Sequence, residues 1–214
     1  VDAVSIAVAP QAQPALACTA ADAGKHLLLE KPLALSVAAA NPIVDAIAKA
    51  RVASIVFFMR RFVPLIEQAI EEARRQRWSA ASVRVHSAAL STSTPFADSR
   101  WRQQAGAELW DIGPHALSIL CPILGPVLRV HAERELDGTT RFRTTHHGGT
   151  VADVSLTLRA SPSTTGIEYR FDGNAGTLTL PEPPIARVEA LSDAAGDLVR
   201  LIAEQSCDHR CDAP

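Results

Sequence analysis

No charge of one sign dominates these 214 residues: 21 lysines and arginines stand against 23 acidic residues, for a formal net charge of -2. Such a balance provides no field to draw in nucleic acid or an anionic membrane surface. Long apolar runs are also missing; Ala53–Met59 has the length of a buried strand, far short of a bilayer span. The chain opens Val1-Asp2-Ala3-Val4, without the basic start and apolar core of a secretory signal. The four cysteines, Cys18, Cys121, Cys207 and Cys211, are scattered and read as small buried hydrophobes of a reducing compartment, so a cytoplasmic location is expected. Cys207 and Cys211 flank Asp208-His209-Arg210, but no second ligand cluster accompanies them, and no metal site is expected. The His146-His147 pair before Gly148-Gly149 reads as a polar hairpin loop. A hydrolase finds no support, because no G-x-S-x-G elbow occurs and no cysteine sits in a nucleophile context. Repeats and low-complexity tracts are absent from the sequence.

What is present is an ordinary globular composition, 47% hydrophobic and 21% charged, long enough for one large domain or two small ones. Val4–Ala9 is an apolar run without polar alternation, as in a strand covered on both faces, and Pro10 stops it. An alanine-rich helix is expected over Pro14–Ala23, ended by Gly24 in the left-handed cap position. His26–Leu29 reads as a second strand, with Glu30-Lys31-Pro32 at its carboxyl end. Ser36 caps a helix over Val37–Ala50, and Ala53–Met59 reads as a third strand. Strand, helix, strand, helix, strand with short joints is the pattern of a parallel sheet built from right-handed crossovers.

After Arg61 the pattern changes. Phe62, Leu65, Ile66, Ala69, Ile70 and Ala73 follow helical spacing, with Glu71, Glu72, Arg74 and Arg75 as a wet face. Alternating strands follow around Val83 and Val85, over Val127–Arg134, around Val151–Leu158 and around Ile167–Phe171. Gly173-Asn174-Ala175-Gly176 is a turn into Thr177–Leu180, and Ile185–Leu191 reads as one more strand before a last helix over Asp193–Ala203. The expected fold class is α/β plus α+β: a partial Rossmann-type parallel sheet in residues 1–60, then an open, mostly antiparallel sheet flanked by helices in residues 61–214.

Two places carry chemistry. Asp111 and His115 lie four positions apart in the apolar stretch Glu108–Leu120, so one helix would set them on one face. An imidazole with a carboxylate near it suits proton transfer; a helix cap and a satisfied core histidine account for the same pair without chemistry. Lys31 lies where a parallel sheet binds ligands, beyond the carboxyl end of a strand. Pro32 limits it to an extended conformation. An electrostatic clamp and a solvent-exposed turn charge are both compatible with that position.

Three segments in this order resemble the Gfo/Idh/MocA family of NAD(P)-dependent oxidoreductases. Val1–His26 on to Glu30-Lys31-Pro32 is similar to the second half of that family's dinucleotide-binding domain. Arg60-Arg61-Phe62-Val63-Pro64 resembles its crossing into the second domain. Asp111-x-Gly113-x-His115 resembles its D-x-G-x-H helix, with Trp101-Arg102 in the place of a frequent Trp-Arg pair and Gly173–Gly176 in that of a G-x-x-G hairpin. The resemblance implies a catalytic set of Lys31, Asp111 and His115. It further implies cofactor contacts at Ala9, Pro10, Glu30, Lys31, Pro32, Trp101 and Arg102, and substrate contacts at Arg60 and His115. It implies NAD or NADP as cofactor, a small sugar or polyol as substrate, and a homo-oligomer, dimer or tetramer. His115 would be the base, Asp111 would orient it, and Lys31 would stabilise the alkoxide or relay the proton.

Departures accompany the match. Ser118 stands where an acidic residue is common, Met59 where an asparagine is, Gln13 where a histidine is frequent, and Gly106-Ala107 where a glycine pair is usual. No G-x-G-x-x-G precedes the first strand, and that turn seats the pyrophosphate in dinucleotide folds. The expectation is therefore a portion of a longer enzyme lacking the amino-terminal half of its dinucleotide-binding domain. A non-catalytic cofactor- or protein-binding relative, or an inactive fragment, is the alternative.

Overall fold

The computed structural model describes residues 1–91 and 94–213, which form two compact units: Val1–Val63 with Ile185–Pro214, and Pro64–Pro184.

In the first unit, β1 (Ala3–Ile6), β2 (His26–Leu29) and β3 (Ser54–Val56) make a parallel sheet in that order, Ile6 opposite Leu29 and Leu29 opposite Val56. β2 covers the run that announces it, whereas β1 and β3 end short of theirs. β1 stops at Ile6, and Met59–Phe62 turns into a 3₁₀ helix instead of prolonging β3. Helices α1 (Gln13–Asp22) and α2 (Val37–Ala50) bury Ala17, Ala21, Ile43 and Ile47 in one cluster with Leu27, Leu29 and Val56. Gly24 ends the first crossover at φ +69°, a conformation that side chains with a Cβ rarely adopt. The Ser36 hydroxyl accepts from the Ala39 amide at 3.1 Å and so caps α2.

A second cluster holds Leu28, Ile55, Phe57 and Phe62 with Ala190, Ala194, Leu198 and Leu201. Those last four lie on α6 (Arg187–Glu204), which occupies the place expected for a strand over Ile185–Leu191. The physical reason is the spacing of the small and apolar residues: 190, 194, 198 and 201 form a helical stripe, while Val188, at 82% exposure, points to solvent. The same stripe explains why residues 185–214 join the first unit and not the second, as the division at Arg60 had implied. The chain end continues this packing, since the Cys211 carbonyl accepts from the Val56 amide at 2.7 Å.

The second unit is a six-stranded sheet in the order β5-β6-β7-β4-β8-β9: β4 (Trp78–His86), β5 (Val127–Arg134), β6 (Thr140–His146), β7 (Val151–Thr157), β8 (Gly166–Gly173) and β9 (Gly176–Thr179). Every pairing is antiparallel except β4 with β7, so the sheet is mostly antiparallel as expected. Asn174-Ala175 closes the β8–β9 hairpin, with Gly173 opposite Gly176. β6 had no counterpart among the expected strands, because its alternation is carried by threonine and arginine: Thr140, Phe142, Thr144 and His146 face inward. His146 therefore lies inside a strand and not in a loop, fully buried, and only His147–Gly149 make the turn. Its Nδ1 meets the Gly125 carbonyl at 2.8 Å and its Nε2 the Thr144 hydroxyl at 2.9 Å.

Helices α3 (Pro64–Arg74), α4 (Ala107–Asp111) and α5 (Gly113–Leu124) complete the unit. α3 buries Ile66, Ile70 and Ala73, while Leu65 is half exposed and Phe62 belongs to the first unit's core. α5 buries Ala116, Ile119, Leu120, Ile123 and Leu124 and contacts both α3 and β4.

Candidate functional site

The residues expected at the site fall in both units. In the first, the turn after β1 and the turn after β2 lie side by side at the carboxyl ends of parallel strands. Ala9 is exposed there and Pro10 buried; the Ala9 carbonyl accepts from the amides of Ala12 and Gln13 as the chain turns into α1. Glu30 and Lys31 are half-buried, Pro32 is buried, and the Lys31–Pro32 peptide is cis. Gln13, 1% exposed, donates from Nε2 to the carbonyls of Glu30 at 2.7 Å, Pro32 at 3.0 Å and Leu33 at 3.2 Å. Arg60 is buried in the 3₁₀ turn after β3.

In the second unit, Asp111 and His115 do not share one helix. Asp111 is the last residue of α4 and His115 lies in the first turn of α5, the break falling at Ile112. Pro114 causes it: without an N–H it cannot continue the ladder of α4, yet it suits the first turn of a new helix. The Asp111 carboxylate is buried and bound on both oxygens by Arg102, Nε to Oδ2 at 2.6 Å and Nη2 to Oδ1 at 3.2 Å. The guanidinium carbon lies 4.4 Å from the ring centre of Phe96 and 4.4 Å from that of Trp101. Arg102 thus meets the carboxylate as a planar fork stacked on aromatic faces, a geometry lysine cannot reproduce.

His115 is anchored by its backbone. Its carbonyl accepts from the Ser118 hydroxyl at 2.9 Å and the Tyr169 hydroxyl at 3.3 Å. Ser118 therefore bonds one turn back within its own helix. Tyr169 escaped the sequence reading as a site neighbour, although its inward position in the alternation Ile167, Tyr169, Phe171 was legible. Glu108, one turn before Asp111, is also buried; it accepts from the Thr140 hydroxyl and from Arg134 Nε at 3.4 Å, tying α4 to the sheet.

A cavity of about 710 Å³ lies elsewhere, on the polar face of the sheet, with Arg84, His86, Arg141, Arg143, Asp153 and Ser155 among its walls. His86 Nε2 meets the Ser155 hydroxyl at 2.8 Å, and burial, with the charges of Arg84 and Arg141, holds its pKa below the usual histidine range. No sequence signal marked this pair, and nothing from α4 or α5 lines the cavity. Among the described residues no group of three or more His, Cys, Asp or Glu side chains could hold a metal ion, and no helix is long and apolar enough to cross a membrane.

Residues 1–58 match the family described as "Oxidoreductase family, NAD-binding Rossmann fold", Gfo/Idh/MocA. That match lies within the first unit, and it is there that the chain is similar to the Gfo/Idh/MocA family. A curated relative, Oxidoreductase P35 of Formosa agariphila, is 26% identical over 134 residues, which cover 59% of this chain and 42% of that protein. The chain thus spans less than half the length of that curated relative. Among solved structures, an oxidoreductase from Thermotoga maritima superposes with a TM-score of 0.82 at 16% identity, covering 100% of this chain and 71% of that one. Levoglucosan dehydrogenase, solved with NADH and levoglucosan, superposes with a TM-score of 0.77 at 20% identity, covering 96% and 72%. At these identities the superpositions show the fold.

The rim of the first unit fits the matched family's cofactor in kind. Ala9, exposed, and the half-buried Glu30-Lys31 turn follow the carboxyl ends of adjacent parallel strands, the place where such sheets seat a nucleotide.

Proposed function

We infer that this protein is an NAD(P)-dependent dehydrogenase acting on a secondary alcohol of a sugar, polyol or related small molecule, with Lys31, Asp111 and His115 as its catalytic set. The observation that carries the reading is the position of Lys31, held at the carboxyl end of the central strand of a parallel sheet whose residues match an NAD-binding family. Levoglucosan dehydrogenase, with the same fold, suggests the substrate class.

The nicotinamide, when bound, supplies the hydride acceptor at its C4. His115 takes the hydroxyl proton as the carbinol C–H bond breaks and the C=O bond forms, a role for which an imidazole is the side chain of choice. Lys31 offers positive charge to the developing alkoxide oxygen. Asp111, fixed by Arg102, supplies fixed negative charge in the helix turn before His115. Ala9, Pro10, Glu30 and Pro32 would border the cofactor, with Trp101 and Arg102 as further cofactor contacts, and Arg60 with His115 would meet substrate. Four free thiols support a reducing, cytoplasmic setting. Leu128 and Val130, both exposed on the edge strand β5, support a dimer or tetramer.

The test is a titration with NAD(H) and NADP(H) followed by nicotinamide fluorescence, then turnover on a sugar and polyol panel. Lys31→Ala and His115→Ala should each lower kcat by about 100- to 10,000-fold with the fold preserved. Absence of binding by either cofactor ends the reading.

A further inference from the structure

The buried stripe of α1 is Gln13, Ala17 and Ala21, one residue per turn, and Gln13 is the only one of the three with a polar side chain. A polar group on the apolar face of a helix calls for a partner, and this one has three on one side only. Its single NH2 faces the carbonyls of Glu30, Pro32 and Leu33 at 2.7, 3.0 and 3.2 Å. Two hydrogens serve three acceptors, so at least one is shared. The amide oxygen on the other side is buried and has no hydrogen-bond partner among the described residues. Turning the amide over would set that oxygen against three carbonyl oxygens, so the orientation is dictated by the turn it grips.

The three carbonyls belong to the residue before Lys31 and the two after it. Everything gripped is backbone, and the one residue of the segment whose carbonyl is left out is the lysine itself. The helix that holds the amide is seated in the core through Ala17 and Ala21. A simple packing role would be filled by leucine, which leaves no orphaned oxygen.

We propose that Gln13 is a positioning residue for Lys31: its carboxamide gathers the turn on both sides of the lysine and so sets where the ammonium group stands beyond β2. The proposal rests on the reading of Lys31 as the catalytic lysine. Geometry explains why so indirect a group matters, since displacement of a reacting group by about 1 Å can cost about 100-fold in rate.

The experiment compares Gln13→Leu and Gln13→His with the wild-type protein. Histidine places an Nε2–H at the same number of bonds from Cα as the glutamine Nε2, so it can restore one donor. The first readout is hydrogen–deuterium exchange over residues 30–35 against residues 16–22 of α1. In Gln13→Leu the turn should exchange faster while the helix keeps its protection, and Gln13→His should recover most of the difference. The second readout is steady-state oxidation of a polyol accepted by the wild type, with NAD+ or NADP+. Here Gln13→Leu should lower kcat by about 100-fold, with KM for the dinucleotide changed by less than about threefold, and should alter the pH profile of kcat/KM.

Unchanged exchange at 30–35 overturns the proposal, as does faster exchange with kcat and its pH profile intact, which would make Gln13 a purely structural clamp. If Gln13→Leu fails to fold, Gln13→Asn, which keeps the amide but falls one methylene short, takes its place under the same criteria. A wild type without turnover on any substrate counts against the dehydrogenase reading, while the exchange result still decides whether Gln13 sets the turn.

Discussion

Arg102 holds Asp111 by both carboxylate oxygens, at 2.6 and 3.2 Å, with side-chain exposures of 17% and 7%. Removing one partner of so buried a pair leaves a charge that water cannot reach. Arg102→Ala should destabilise the second unit by about 3–5 kcal/mol in urea unfolding. A double-mutant cycle with Asp111→Asn should return a coupling of about 1–3 kcal/mol. A coupling near zero would mean the two side chains are held independently.

Glu108 sits on the same short helix and depends on the Thr140 hydroxyl and Arg134 for its hydrogen bonds. Thr140→Val keeps the shape of the side chain and removes one donor from a buried carboxylate. The expected loss is about 1–3 kcal/mol by chemical denaturation. Because Glu108 ties α4 to the sheet, the dehydrogenase activity proposed above should fall in the same variant through displacement of Asp111; equal activity would uncouple the anchor from the proposed site.

Gly173 is required for space. A Cβ there would lie 2.4 Å from the Arg77 carbonyl oxygen and 3.1 Å from the Trp78 ring, so the backbone must move. Gly173→Ala should cost about 1–3 kcal/mol and lower Tm measured by circular dichroism. Gly196→Ala on α6, where nothing lies within 4 Å, should be neutral or slightly stabilising, through helix propensity.

His209 makes the first unit's stability depend on pH. Burial lowers its pKa, outweighing the opposing hydrogen bond it donates to Asp197, and the Arg210 charge adds to the lowering. Its Nε2 lies 3.1 Å from Asp197 Oδ2, its Nδ1 accepts from the Cys211 amide at 3.1 Å, and Phe62 stacks on the ring at 6.0 Å. A group depressed in the folded state takes its proton more readily when unfolded. Its contribution is complete above the ordinary value of 6.5 and is lost as pH falls through the lower folded value. Thermal midpoints between about pH 7 and 5 should therefore fall more steeply in the wild type than in His209→Gln. Equal slopes would assign the effect to other groups, such as His86, whose pKa is also lowered.

Much of the first unit was legible because its signals are local. Apolar runs of strand length, the Ser36 cap and the Gly24 turn act within a few residues, and short connections leave a parallel sheet as the one arrangement that covers both faces. The Glu30-Lys31-Pro32 turn could be placed at a strand end for the same reason. The limits were local as well: Ile185–Leu191 alternates enough to read as a strand, and only the stripe from Ala190 to Leu201, against the sheet face of Leu28 and Ile55, makes it helix.

By itself, then, the sequence determined the order of strands and helices before Arg60, the apolar faces of those elements, and the place of Lys31 at the end of β2. Tertiary structure decided what each polar group touches. Arg102 closes on Asp111 nine residues away, Tyr169 reaches the His115 carbonyl across 54, and Gln13 grips carbonyls 17 to 20 residues on. The reason lies in the forces themselves. Hydrophobic burial is non-directional and leaves a period that can be read along the chain, whereas a buried hydrogen bond depends on a donor and an acceptor that only packing brings within 3 Å.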